Sequence, residues 1–118
     1  MRILLAEDNP DHQQLLAYIL RRHGHSVDIA EDGQQAVCMA RENYDVILMD
    51  VRMPGMDGLE ATKAIRAKSR VPIIALTACA MISDRERSLA AGMNAYLSKP
   101  VNSREMIALV ESLATGLV

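Results

Sequence analysis

The chain has 118 residues, half of them hydrophobic, and a formal net charge of −2. This size predicts one domain over residues 1–118, with a core of aliphatic residues and Met because Phe and Trp are absent. The weak negative charge argues against nucleic-acid binding, and no apolar run approaches the roughly 18 residues that cross a bilayer. Cys38 and Cys79 show no disulfide or metal-ligand spacing, so we expect reduced thiols in a cytoplasmic protein.

Strand and helix patterns alternate along the whole chain. Short apolar runs predict strands at residues 2–6, 26–30, 45–49, 72–76 and 94–97. Helices are predicted at residues 10–23, 33–42, 58–68, 84–91 and 103–114. Each helix begins near a residue suited to the N-cap, namely Asn9, Asp32, Asp57, Ser83 and Asn102. In the first helix one apolar stripe is formed by Leu15, Leu16, Ile19 and Leu20.

The strand patterns also predict the order of the sheet. Residues 3–6, 46–49 and 73–76 are continuously apolar, as expected for central strands that helices cover on both faces. Residues 26–29 alternate and residues 94–97 are mixed, which is typical of edge strands. A five-stranded parallel sheet of order 2-1-3-4-5 satisfies these constraints. The predicted fold class is therefore α/β, a flavodoxin-like (βα)5 arrangement with helices on both faces.

Polar residues follow four of the predicted strands. Glu7 and Asp8 follow the first strand, Asp50 the third, Thr77 the fourth and Lys99 the fifth. Because ligands of open parallel sheets bind at the carboxyl edge, we expect these groups to form one site. Neighbouring acids at a buried edge need compensation, which a hard divalent ion such as Mg²⁺ provides. The alternative is that the acids stay solvated and cap the first helix.

Asp50 can serve as a metal ligand or as a nucleophile, since a carboxylate can accept a phosphoryl group as an acyl phosphate. Lys99 could place positive charge on the phosphoryl oxygens, although a lysine taken alone is more often a surface residue. Thr77 could donate to the same oxygens or simply satisfy local backbone groups. Tyr96, in the last strand, either packs or changes rotamer when Thr77 moves.

Four separated motifs agree in identity, order and spacing with one known family. They are Glu7-Asp8, Asp50 with residues 53–58 (MPGMDG), Thr77-Ala78 and Lys99-Pro100. Together they resemble the response-regulator receiver domain of two-component signalling, and the resemblance extends from Ile3 to about Leu113. It implies that Asp50 is the phosphoacceptor, loaded from the phosphohistidine of a kinase.

The resemblance also implies the roles of the surrounding residues. Mg²⁺ would be bound by Asp8, Asp50 and the backbone carbonyl of Arg52, with Glu7 acting through a metal-bound water. The phosphoryl group would be contacted by Thr77, the Ala78 backbone and Lys99. Tyr96 matches the aromatic switch position of the family, and the Lys99–Pro100 peptide bond is expected to be cis.

Residues 48–58 and 90–101 look most like receivers fused to hybrid sensor histidine kinases. This implies a histidine kinase or a histidine phosphotransfer domain as partner, with no contact to nucleic acid or membrane. A lone domain of this kind would catalyse at most its own phosphorylation and dephosphorylation. The alternatives are an aspartate-nucleophile phosphatase, a flavin- or nucleotide-binding module, and a receiver-like domain that is never phosphorylated. Arg52 argues against the phosphatase, because such enzymes typically carry a second acid two residues after the nucleophile.

Two further expectations concern the surroundings of the site. Arg52 and Cys79 each lie two residues beyond a site residue, so both should affect the lifetime of an acyl phosphate, with Arg52 shielding it from water. His12, His23 and His25 show no metal-ligand spacing and are expected to face solvent.

Overall fold

The computed structural model describes residues 1–78 and 82–115, with the backbone alone for 82–84. Five parallel strands form one sheet of order β2-β1-β3-β4-β5, as the sequence predicts. The strands β1 to β5 are Arg2–Ala6, Ser26–Ala30, Val46–Asp50, Ile73–Thr77 and Ala95–Ser98. The helices α1 to α5 are Pro10–Arg22, Gly33–Met39, Gly58–Arg66, Ile82–Ala91 and Ser103–Ala114. The predicted flavodoxin-like α/β fold is confirmed.

Three strands end one residue later than the apolar runs predict. Asp50 still pairs with Leu76, and Thr77 still pairs with Ser98, although these residues are polar. Backbone pairing in a ladder does not depend on side-chain polarity, so the last apolar residue was the wrong marker for the strand end. The extra residue matters because it anchors Asp50 and Thr77 to the sheet itself.

The helix ends follow local hydrogen bonds more closely than the periodic pattern. The side chains of Asn9, Asp32, Asp57 and Asn102 accept backbone N–H groups in the first turns of their helices, as predicted. The prediction for Ser83 was wrong: α4 begins at Ile82, so Ser83 lies inside the helix. A serine three residues before a glutamate also occurs within helices, and the pattern alone does not locate the first turn. At the other end, α2 stops at Met39 because residues 41 and 42 bond back over three residues.

Two apolar clusters lie on opposite faces of the sheet. One contains Leu5, Leu48 and Leu76 with residues of α1 and α5, and the other contains Ile47 and Met49 with residues of α2 and α3. This double coverage explains why residues 3–6, 46–49 and 73–76 of the central strands are continuously apolar. Within the described ranges, no helix is both long and apolar enough to cross a membrane.

The predicted stripe of α1 is narrower in the structure. Leu16 and Leu20 are buried in the core, whereas the side of α1 that carries Leu15 is open, and Leu15 is 57% exposed. Adjacent residues on a helix point about 100° apart, so Leu15 falls outside the face that Leu16 presents to the sheet. Tyr18, three residues later, is 59% exposed and extends the same open face.

Candidate functional site at the carboxyl edge of the sheet

The sheet holds each candidate residue at its carboxyl edge through the backbone. Glu7 N–H donates to the Ala30 carbonyl at 3.0 Å, which continues the β1–β2 ladder one residue past the strand. Lys99 N–H likewise donates to the Thr77 carbonyl at 2.7 Å. Asp50 is itself the last residue of β3. The residues that follow separate strands are therefore brought to one edge, as the strand order requires.

Three carboxylates meet at the switch point between β1 and β3. One oxygen from each of Glu7, Asp8 and Asp50 lies within 4.8 Å of the others. Glu7 is fully buried and Asp50 is 4% exposed, whereas Asp8 faces solvent. Oxygen ligands of this kind, with one side open to water, fit Mg²⁺, which keeps several waters when bound. The residues present therefore have the composition and spacing of a divalent-metal site.

Lys99 bridges the two buried carboxylates. Its Nζ lies 2.8 Å from Asp50 Oδ2 and 3.0 Å from Glu7 Oε1, and its side chain is largely shielded from solvent. Although burial disfavours its charged form, the hydrogen bonds to Asp50 and Glu7 raise the pKa of the Lys99 ammonium. Lys99 therefore remains a cation beside the carboxylate that would act as nucleophile.

The two buried carboxylates differ in their affinity for protons because their hydrogen bonds differ. Desolvation, followed by the hydrogen bond and charge of Glu7, raises the pKa of Asp50 to about 6. For Glu7, burial also favours the protonated form, but hydrogen bonds from Asp50, Lys99 and His12 outweigh it and lower its pKa. The pKa of Asp50 therefore lies above its usual range and that of Glu7 below it.

His12 is a member of the site that the sequence interpretation missed. Its Nδ1 lies 2.8 Å from Glu7 Oε1, the oxygen that also contacts Lys99, while 48% of the His12 side chain remains exposed. Side chains of a helix lean toward its N-terminus, so a residue in the first turn of α1 can reach back to the strand end. The place of His12 in the first turn of the helix that follows β1 could therefore have indicated its contact with Glu7, whereas metal-ligand spacing could not.

The expectation for His25 was wrong. Its side chain is only 7% exposed, and its Nε2 lies 3.1 Å from a carboxylate oxygen of Glu111 in α5. The partner is distant in the sequence, so no local pattern could indicate it. His23 is exposed, in agreement with expectation.

The loop after β3 is held against Asp50. Asp50 Oδ1 accepts the Arg52 backbone N–H at 3.0 Å, and Gly58 N–H donates to the Val51 carbonyl at 3.0 Å. Gly55 has a φ of 74°, which favours glycine in this turn. A Cβ at Gly58 would overlap the Asp50 carbonyl oxygen, so the loop packs tightly only because residue 58 lacks a side chain.

The other candidate residues lie around the same pocket. Thr77 is 7% exposed and Ala78 faces solvent beside it. Tyr96 is half-buried in β5, and the guanidinium carbon of Arg85 lies 4.6 Å from its ring centroid. The Lys99–Pro100 peptide bond is cis, as predicted. Cys79, named above for its effect on acyl phosphate lifetime, lies outside the described residues.

Curated relatives match nearly the whole chain. The sensor protein GacS of Pseudomonas syringae pv. syringae is 42% identical over 116 residues, which cover 92% of this chain but 13% of GacS. Hybrid signal transduction histidine kinase I of Dictyostelium discoideum is 39% identical over 122 residues, which cover 94% of this chain and 7% of that kinase. The chain thus spans only a small part of these relatives.

Solved structures match over almost their full length. One is the receiver domain of the sensor histidine kinase PA1611 of Pseudomonas aeruginosa, crystallised with a magnesium ion in its active-site cleft, at 48% identity. Its TM-score is 0.90, and 97% of each chain is covered. Another is the receiver domain of Saccharomyces cerevisiae Ssk1, in complex with the histidine phosphotransfer protein Ypd1. It is 32% identical, with a TM-score of 0.92 and coverage of 98% of this chain and 89% of the other.

The match to a family model agrees with the geometry and with these relatives. The model of the response regulator receiver domain covers residues 3–111, which include all four strand ends of the site. The chain is a member of the response regulator receiver domain family.

Proposed function

We propose that this domain is a phosphoacceptor switch in a two-component phosphorelay, with Asp50 as the residue that carries the phosphoryl group. The observation that carries the proposal is the bridge from Lys99 to Asp50 at 2.8 Å and to Glu7 at 3.0 Å. It places a buried carboxylate beside a fixed cation and next to two further acids. A surface carboxylate would lack that arrangement, which phosphoryl transfer requires for charge stabilisation.

In the proposed reaction, an oxygen of Asp50 attacks the phosphorus of a phosphohistidine. The new oxygen–phosphorus bond forms as the phosphorus–nitrogen bond breaks, and the imidazole leaves. Lys99 exchanges its contact with the free carboxylate for one with a phosphoryl oxygen. The Thr77 hydroxyl and the Ala78 backbone N–H face the remaining oxygens, and Tyr96 responds to the movement of Thr77.

The three carboxylates are proposed to hold Mg²⁺, as the magnesium-bound receiver of PA1611 suggests. Asp8, Asp50 and the Arg52 carbonyl would be direct ligands, and Glu7 would act through a bound water. The ion would supply positive charge to the phosphoryl oxygens. Asp8 is the exposed member of the set, so it would complete the site from the solvent side.

The partner is proposed to be a histidine kinase or a histidine phosphotransfer domain, and the domain to be a single cytoplasmic receiver over residues 1–118. The resemblance to GacS, to the Dictyostelium kinase and to the Ssk1 receiver supports this. The open face of α1 carries exposed Leu15 and Tyr18. A small groove of about 90 Å³, lined in part by His12, Leu16 and Lys99, lies beside that face. An apolar helix of the partner could dock there and bring its phosphohistidine to Asp50.

The phosphatase alternative requires an acid two residues after Asp50, and the chain has none there. Arg52 occupies the place of a general acid two residues after the nucleophile, and its side chain is exposed. A guanidinium remains protonated and cannot cycle a proton during turnover. The receiver function therefore accounts for the site without a second activity.

The direct test is intact mass after incubation with acetyl phosphate and Mg²⁺. The wild-type domain should gain one phosphoryl group, and Asp50→Asn should gain none. Asp11→Asn is the matched control, because Asp11 is an exposed acid in the first turn of α1, outside the site. A persistent adduct in Asp50→Asn would reassign the acceptor, and its absence from wild type would remove the proposed function.

A further inference from the structure

The first turn of α1 holds Glu7 through two neighbouring residues. His12 Nδ1 lies 2.8 Å from Glu7 Oε1, and the side-chain amide of Gln13 donates to the Glu7 backbone carbonyl at 2.6 Å. The other carboxylate oxygen, Oε2, accepts the backbone N–H of Asp8 at 3.1 Å. Because Glu7 is fully buried, donors of the protein take the place of water at both of its carboxylate oxygens.

His12 is the donor in its contact with Glu7. Although burial favours the protonated form of Glu7, hydrogen bonds lower its pKa, so the carboxylate is ionised at neutral pH and can only accept. Nδ1 of His12 must therefore carry the hydrogen that lies between the two side chains. Since 48% of the His12 side chain is exposed, the contact joins a buried acceptor to a donor at the surface of the domain.

The other side-chain donors of Glu7 are shared with the phosphoacceptor. Lys99 Nζ lies 3.0 Å from Glu7 Oε1 and 2.8 Å from Asp50 Oδ2. In the proposed reaction Lys99 turns to a phosphoryl oxygen, and a phosphorylated Asp50 has no proton left to share with Glu7. A buried acceptor that loses its donors destabilises the state in which this happens. Among the contacts of the described residues, His12 is the side-chain donor that then remains at Oε1.

We propose that His12 is a positioning residue for phosphoryl transfer, because its Nδ1–H keeps Glu7 in place while Lys99 turns from Glu7 to the phosphoryl group. The inference rests on the proposed function of Asp50 and Lys99. No proton is transferred and no covalent bond to His12 forms, since one hydrogen bond of Glu7 is kept while another is exchanged. His12 therefore stabilises the phosphorylated state more than the unphosphorylated state, in which Lys99 still donates to Glu7.

Two substitutions isolate the hydrogen bond of His12. In His12→Asn the amide nitrogen is attached to Cγ, as Nδ1 is in histidine, so a donor stays in the same position. His12→Leu places a methyl group there and removes the donor. His23→Leu is the control, because His23 is an exposed histidine at the far end of α1, where Nδ1 lies 3.0 Å from the Ile19 carbonyl oxygen. The side chain of His12 is half exposed, so neither substitution alters the core, and the Tm without ligand checks the fold.

Two binding measurements compare the unphosphorylated and the phosphorylated state. One is the rise in Tm with Mg²⁺ alone, and the other is the further rise with beryllofluoride, which takes the place of a phosphoryl group on a carboxylate, at saturating Mg²⁺. In His12→Leu the affinity for beryllofluoride should fall about three- to tenfold, as expected for a charged hydrogen bond with a half-exposed donor. The affinity for Mg²⁺ should change less than about twofold, because Lys99 still contacts Glu7 in that state. His12→Asn and His23→Leu should stay within about twofold of wild type for both ligands.

An unchanged affinity for beryllofluoride in His12→Leu overturns the proposal, and so does an equal fall for the two ligands, because His12 would then act on both states alike. A loss of the same size in His12→Asn or in His23→Leu also overturns it, since the loss would not follow the donor at Nδ1. If wild type binds Mg²⁺ but neither binds beryllofluoride nor gains mass from acetyl phosphate, the phosphoacceptor function itself is contradicted.

Discussion

Lys99 neutralises only part of the negative charge that gathers around it. It contacts Asp50 and Glu7, while Asp8 lies close to both acids and forms no ion pair with a described residue. His12 adds a second contact to Glu7 at 2.8 Å, on the same oxygen that Lys99 uses. The site is therefore organised so that a cation added from solvent meets Asp8 first.

Replacing Asp8 should separate metal binding from folding. In Asp8→Asn we expect the Mg²⁺-dependent rise in Tm to disappear, because the variant lacks the exposed carboxylate ligand. Without metal its Tm should match or exceed that of wild type, since one of three crowded charges is gone. Thermal melts with and without Mg²⁺ provide the measurement.

Asp11→Asn serves as the control in these melts, because it removes an exposed acid of the same helical turn. It should keep the full response to Mg²⁺. A rise in Tm of undiminished size in Asp8→Asn would mean that the ion binds elsewhere or without Asp8.

Helix α3 begins so close to the end of β3 that the space at Gly58 admits no side chain. A Cβ at Gly58 would overlap backbone atoms of Asp50 and Val51, which cannot rotate away as a side chain can. We expect Gly58→Ala to destabilise the domain by about 2 to 3 kcal/mol, as overpacking does. It should also slow phosphorylation, because the start of α3 would be pushed away from Asp50. Denaturant unfolding and the rate with acetyl phosphate test the two effects.

Gly55→Ala is the matched comparison in the same loop. Its Cβ would meet nothing within 4 Å, but its φ of 74° is unfavourable for alanine, which should cost only about 1 to 2 kcal/mol. Equal phosphorylation rates in Gly58→Ala and wild type would show that the approach of α3 to Asp50 is not needed for the chemistry.

The strands and the first turns of most helices could be predicted because a local sequence pattern determines them. The continuous apolar runs marked the central strands of the observed sheet, and the caps Asn9, Asp32 and Asp57 act on neighbouring N–H groups. The remaining features depend on partners far along the chain. His25 contacts Glu111, 86 residues away, and no periodicity encodes that pairing. Leu15 shares the hydrophobicity of Leu16 but not its face, so spacing alone placed it in the apolar stripe although it is exposed.

The buried acid pair makes the free energy of unfolding of the whole domain depend on pH. The pKa of Asp50 is raised to about 6, from an ordinary value of 3.8. Between these values the folded state keeps a proton on Asp50 that the unfolded chain has released. The contribution of Asp50 to the free energy of unfolding therefore falls as pH rises from about 4 to above 6.

Asp50→Asn should remove this dependence. In metal-free buffer we expect the variant to gain stability relative to wild type by roughly 2 to 3 kcal/mol between pH 4 and 8, the size of a two-unit shift. Denaturant unfolding of both proteins across this pH range provides the difference. For Asp11→Asn, the difference in free energy of unfolding from wild type should not change with pH. If the corresponding difference for Asp50→Asn is also independent of pH, the pKa of Asp50 is not raised.

The contact between Lys99 and Glu7 joins residues 92 positions apart, across four of the five strands. During synthesis on a ribosome, Glu7, Asp8 and Asp50 emerge long before Lys99. A nascent chain of about half this length holds all three acids but not the lysine that neutralises them. Because β5 pairs only with β4, Lys99 reaches the acids once the final edge strand has docked. The site that would receive the phosphoryl group is therefore complete only after β5 has docked, and a nascent chain that lacks β5 lacks the lysine of the site.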